Sequence, residues 1–185
     1  MGRRAEHVDE TRRRIVGAAV RLHTTVGPAH TTIAGIADEA GVTRLTVYRH
    51  FPTLEDVFAA CTAHWTAAHP MPNPAVWLSL PTLGERSRAA FGDLYGWYRA
   101  NDPELFPIQR DVDSLPASLR AGLAEGLAWM SGAIVGDAAA ALRVTALARH
   151  LVTYWTWRSL VLEGGLADAE GADLGSLLLE QVAEG

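Results

Sequence analysis

Apolar residues recur along this chain at intervals of three and four, the period of one face of an α-helix. Ile15, Ala18, Ala19, Leu22 and Val26 set out an amphipathic helix over about residues 9–26. Gly27-Pro28 ends it, since glycine accepts the left-handed turn at a helix C-terminus and proline cannot continue the ladder. Ile33, Ile36, Ala37 and Ala40 form the inner face of a second helix, capped by Thr32 and stopped by Gly41. Val47 and Phe51 stand four apart on a third, capped by Thr43 and ending near Phe51-Pro52. Thr53 opens a fourth with Glu55 and Asp56 in its first turn, where the helix dipole favours acids. No sustained alternation and no Asn-Gly or Asp-Gly turn points to strands.

Residues 69–81 hold four of the nine prolines, which predicts a loop or broken segment between two parts of the chain. Helical spacing resumes over 82–100 through Leu83, Phe91, Leu94, Tyr95 and Tyr98, and over 117–135 through Leu119, Leu123, Leu127 and Met130. Pro103, Pro107 and Pro116 are expected to interrupt the stretch between them. A long helix is expected over 137–163, with Gly164-Gly165 breaking it before a last helix over 172–183. The pattern predicts an all-α fold of about nine helices in two domains. Residues 1–52 make a three-helix domain and residues 53–185 a second helical domain, with helix 53–68 connecting them.

Composition narrows the class. With 185 residues, 49% hydrophobic and 20% charged, the chain can bury a core. One cysteine, Cys61, excludes an internal disulfide and suits a reducing compartment. No apolar run follows Arg3 and Arg4, and no window approaches the roughly 20 apolar residues of a membrane span. A cytoplasmic protein without membrane partners is expected. All 16 basic residues are arginines. The net charge of −5 argues against a nucleic-acid partner until the chain is divided. Residues 1–60 hold 8 Arg against 7 acids, and residues 61–185 hold 8 against 14. A basic patch in the first part can still bind phosphates, because salt screens distant charges over roughly 10 Å.

The third helix has an unusual outer face. Opposite Val47 and Phe51 it presents Leu45, Thr46 and Arg49, with Tyr48 and His50 at its flanks. Together with the second helix and the turn Ala40-Gly41-Val42 it has the layout of a helix-turn-helix, whose second helix enters the DNA major groove. Arginine pairs with guanine O6 and N7, threonine bonds base edges, and an aliphatic group meets a thymine methyl. Arg44, Leu45, Thr46 and Arg49 are placed for base contact. Tyr48, His50, Thr31, Thr32, Thr43, Arg12 and Arg13 are candidates for the phosphate backbone.

The stretch "TTIAGIADEAGVTRLTVYRHFPTLEDVF" resembles the N-terminal domain of the tetracycline-repressor (TetR) family, over about residues 9–60. The matching positions are Thr32, Ile36-Ala37, Ala40-Gly41-Val42, Thr43, Thr46, Tyr48, His50-Phe51 and the apolar Val57. The sequence departs from the pattern at Leu54, where the family commonly has a lysine near the DNA backbone. The resemblance implies a homodimeric regulator, a repressor or else an activator, that places two reading helices on a palindromic operator in double-stranded DNA; a repressor is the expectation. It also implies a C-terminal domain that binds a small-molecule effector, whose binding changes the spacing of the reading helices.

Eleven of fourteen aromatic residues lie in residues 61–185. Trp65, Phe91, Tyr95, Tyr98, Trp129, Tyr154 and Trp155 are candidates to line a pocket for an apolar or aromatic effector, or else simply core. Arg99, Arg110, Arg149 and Arg158 are candidates to orient an anionic group. Leu174, Leu177, Leu178 and Val182 form an apolar stripe suited to a two-fold dimer contact, with Ala139, Ala140 and Ala146 small enough for close helix approach. No cofactor and no catalytic residue is expected. Walker, Gly-x-Gly-x-x-Gly and Gly-x-Ser-x-Gly motifs are missing, and Asp111 with Asp113 is a weak basis for a helical enzyme. Cys61, His64 and His69 leave open a metal-responsive regulator, though a fourth ligand is not evident.

Overall fold

Capping chemistry sets where the first helices begin and end. The computed structural model describes residues 2–136 and 142–185, the side chains of residues 2–5 and 7 excepted. Ala139 and Ala140 therefore lie outside the described residues. Among those described there are ten α-helices and no strand. They are α1 (Gly2–Thr25), α2 (Ile33–Ala40), α3 (Arg44–His50), α4 (Leu54–Ala68), α5 (Pro74–Leu78), α6 (Leu83–Arg110), α7 (Ala117–Val135), α8 (Leu142–Leu151), α9 (Tyr154–Trp157) and α10 (Asp168–Glu184). Two compact units form: residues 1–70 with 103–120, and residues 71–102 with 121–185.

In the first unit, α1 buries Ile15, Val16, Ala18 and Ala19 against Ile36, Ala37 and Ala40 of α2, Val47 and Phe51 at α3, and Val57 and Cys61 of α4. Alanines at four of these positions let the helix axes approach closely. α1 ends as the Gly27 amide bonds the Leu22 carbonyl at 3.1 Å, with Gly27 at φ 95°. Val26 is exposed rather than inward, and His23 takes the buried position on that face. Residues 103–120 close over this turn. Asp111 Oδ2 accepts from the Ala29 amide at 3.1 Å, and Arg110 Nη2 donates to the Val26 carbonyl at 2.8 Å. A Cβ on Gly27 would stand 2.2 Å from Asp111 Oδ2, so the site requires glycine for space as well as for φ.

Pro103 and Pro107 do not interrupt α6, which runs on to Arg110. Each removes one i−4 hydrogen bond. The segment stays helical because Leu105 and Pro107 are buried in the first unit. The Pro-rich stretch 69–81 also contains a helix, α5, capped by Asn73 and opened by Pro74. It buries Trp77 completely, with the indole N–H on Asp93 Oδ2 at 2.8 Å.

In the second unit, Phe91, Leu94, Tyr95 and Tyr98 of α6 form the core with Ile134, Val144, Leu151, Trp157 and Leu179. α10 approaches α6 through small residues. A Cβ at Gly175 would lie 3.2 Å from the Phe91 ring, and the Ser87 and Ser176 hydroxyls meet at 2.7 Å. The single helix expected to reach residue 163 is divided. Thr153 caps α9 by accepting from the Thr156 amide, and Arg158–Glu163 is a π-helical turn closed by the Gly164 amide on the Ser159 carbonyl at 2.8 Å.

Candidate nucleic-acid interface

The interface is built on two short helices whose ends are fixed by their own side chains. Thr32 Oγ1 accepts from the Gly35 amide at 3.1 Å and starts α2. Gly41, at φ 64°, stops it, and the Val42 amide bonds the Ala37 carbonyl at 2.9 Å. Two residues later Thr43 Oγ1 accepts from the Thr46 amide at 3.1 Å and starts α3. Val47 and Phe51 then anchor α3 in the core.

That anchoring leaves the opposite face open. Leu45 is 68% exposed and Tyr48 49%. Arg44 and Arg49 are exposed, and among the described residues neither has an ion-pair partner. Thr46 is partly covered, its hydroxyl 2.9 Å from that of Thr43, so it supports the cap. Thr46, Arg49 and His50 line a surface cleft of about 320 Å³ together with Val8 and Thr11 of α1.

The remaining expected contacts separate. Thr32 and Thr43 are exposed at the starts of α2 and α3. Thr31 lies inside the fold instead, buried, its hydroxyl donating to the Gly27 carbonyl at 2.9 Å, so it does not face a phosphate. Arg13 pairs with Glu10 at 2.7 Å on open surface. Arg12 lies over the Phe51 ring, 4.2 Å from its centroid, and donates to the His50 carbonyl at 3.2 Å. Arg14, one of the arginines that open α1, donates to the Ala40 carbonyl at 2.5 Å and to the Gly41 carbonyl at 3.3 Å. Leu54 is 40% exposed at the start of α4, where Thr53 and Asp56 form a reciprocal capping box. Those Thr53 hydrogen bonds hold the Asp56 carboxyl below its ordinary range.

Behind the interface, His23 of α1 stacks on Phe58 of α4 at 4.4 Å and places Nδ1 3.1 Å from Cys61 Sγ. Its Nε2 is buried with no hydrogen-bond partner among the described residues. Burial pushes His23 down to about 4 and the Cys61 thiol up to about 12, so both are neutral at pH 7. His64 is exposed, and His69 stacks on Trp65, so the three expected metal ligands do not converge. No group of three or more potential ligands is found among the described residues.

The candidate pocket residues are not gathered around one space. Trp65 belongs to the first unit, where its indole donates to Glu104. In the second unit Phe91, Tyr95, Tyr98 and Tyr154 are buried core, whereas Trp129 and Trp155 are exposed. Three of the four candidate arginines are matched by carboxylates: Arg99 by Asp168, Arg110 by Asp111 and Arg158 by Asp102. Arg149 is exposed. On α10, Leu177 and Leu178 face solvent, while Leu174 and Val182 are half-buried.

Residues 15–61 match the family model of bacterial regulatory proteins, tetR family. Over these residues the chain is similar to that family. The helix-turn-helix described above, α2 and α3 with the core faces of α1 and α4, is the part that matches. The fold extends the likeness beyond the matched residues. A tetR-family transcriptional regulator from Streptomyces coelicolor superposes with a TM-score of 0.58 at 18% identity, covering 94% of this chain and 79% of that one. The multidrug binding protein EbrR, crystallised with imidazole, superposes with a TM-score of 0.55 at 24% identity, covering 92% and 93%. No curated protein matches the sequence. No helix among the described residues is long and apolar enough to cross a membrane.

Proposed function

We propose that this chain is a regulator of transcription of the tetR kind, a cytoplasmic homodimeric repressor that leaves a palindromic operator when a small apolar or aromatic effector binds its C-terminal part. It acts by binding and not by catalysis. The observation that carries the DNA half of this reading is the outer face of α3, where Leu45, Tyr48, Arg44 and Arg49 stand in solvent above a buried Val47. A seven-residue helix reaches few base pairs. Two of them, held about 34 Å apart by a dimer, meet successive major grooves on one side of the duplex. Arg44, Leu45, Thr46 and Arg49 read bases, while Tyr48, His50, Thr32 and Thr43 meet phosphates.

Support for the dimer comes from α10, whose Leu177 and Leu178 leave an apolar face uncovered in a single chain. Support for an effector comes from the family and from EbrR, a multidrug binding protein holding imidazole. An effector that binds one spacing of the reading helices better than the other shifts the population and releases DNA. Selection of duplexes from a random pool by the purified protein tests the reading. Enrichment of an inverted repeat with half-sites about one helical turn apart supports it. A pool that stays random at low salt contradicts it.

A further inference from the structure

The first helix does more than supply a core face and positive charge. We infer that Arg12 and Arg14 are positioning residues, each closing the C-terminal end of one helix of the helix-turn-helix, so that α1 sets the seating of both.

A helix ends with carbonyls that have no partner within it, and they carry the negative end of its dipole. A cation that also donates hydrogen bonds answers both. Arg12 Nη1 meets the His50 carbonyl, the last residue of α3, at 3.2 Å. Its guanidinium lies over Phe51, the buried anchor of α3, 4.2 Å from the ring centroid. Arg14 Nη2 meets the carbonyls of Ala40 and Gly41, where α2 stops. A Cβ on Gly41 would lie 3.0 Å from that nitrogen, so the turn glycine also leaves room for the clamp. Residues 12 and 14 are two apart on one helix and point to different neighbours, so each serves one end. The planar guanidinium fork suits both tasks at once, stacking with its face and donating with its edge, which an ammonium does not. Arg13, between them, pairs with Glu10 and holds neither helix.

Arg12 then acts on DNA through α3, not chiefly by touching phosphate. That consequence rests on the DNA-binding reading above; the seating of the helices does not. Two measurements separate them. Hydrogen exchange on the full-length protein without DNA tests the seating. In Arg12→Ala, amides of residues 47–51 are expected to exchange roughly three- to tenfold faster, while those of residues 36–42 keep wild-type rates. Arg14→Ala is expected to do the reverse. Arg12→Lys falls between wild type and Arg12→Ala, and carries the same test if the alanine variant does not fold cooperatively. Unchanged exchange in α3, or equal acceleration of both helices by either variant, overturns the inference.

Binding to a selected duplex and to a scrambled one, across salt concentration, tests the consequence. Arg12→Ala is expected to lose roughly tenfold on the selected duplex. It keeps its affinity for the scrambled one, with an unchanged salt slope. Equal loss on both duplexes, with the slope smaller by about 0.9, is the signature of a lost phosphate contact and overturns the positioning role on DNA. If the wild-type protein retains no duplex, the DNA-binding reading fails while the exchange result still decides the seating.

Discussion

Helices α3 and α10 both leave leucines in solvent, and the difference in how they do so separates their roles. α3 is seven residues long, and its exposed Leu45 stands among Arg44, Thr46, Tyr48 and Arg49. α10 is seventeen residues long and exposes Leu177 and Leu178 side by side, with Glu180 and Gln181 following. The first surface mixes one apolar group with cations and hydroxyls, which suits base edges rimmed by phosphate. The second is a contiguous apolar face with acidic neighbours, which suits another protein surface and repels DNA. The inner faces differ as well. α3 is wedged by large side chains, whereas α10 approaches through Gly171, Gly175 and Ser176, letting its leucines remain outside.

The largest expected effect sets the inside of α3 against its outside. Phe51→Ala removes a fully buried ring and is expected to cost about 3–5 kcal/mol in urea unfolding, whereas Leu45→Ala costs under about 0.5 kcal/mol. Comparable losses would mean that Leu45 is a core residue and that the outer face is misassigned. Acid comes next. His23 binds a proton near 6.5 when unfolded and only near 4 when folded. Between those values the unfolded state holds more protons, so stability present above pH 6.5 is lost as the pH falls toward 4, by as much as about 3 kcal/mol. Chemical denaturation at several pH values checks this, with His23→Leu as the reference in which that part of the slope disappears. An unchanged slope would show that His23 does not titrate with unfolding. The smallest effect on stability tests α10. Leu177→Glu with Leu178→Glu is expected to shift stability by no more than about 0.5 kcal/mol. It halves the mass seen in sedimentation. A dimer that survives both changes would place the two-fold contact elsewhere.

How far the sequence carries depends on how local the determining interaction is. Thr32, Gly41, Thr43 and Thr53 act on the backbone within three residues of themselves, so the helix-turn-helix and its boundaries can be read directly. Pro103 and Pro107 mislead because buried contacts at Leu105 and Pro107 outweigh the lost hydrogen bonds. Val26 and His23 exchange places because the Gly27 turn ends α1 before the periodic pattern does. The stripe on α10 is visible as spacing, but which side faces inward depends on Phe91 and Tyr95, about eighty residues away. Among the candidate DNA contacts, an arginine aimed at phosphate and one aimed at a carbonyl have the same letter. Only the fold brings Arg12 to Phe51 and Arg14 to Ala40.

The outer face of α3 is tested most directly by scanning every base pair of a selected duplex with wild-type protein and with Arg49→Ala. If Arg49 reads a base, wild type loses about 1–3 kcal/mol at one pair in each half-site, and the variant is indifferent there while keeping the rest of the profile. Parallel profiles, uniformly weaker in the variant, would place Arg49 on phosphate and contradict base reading by this helix.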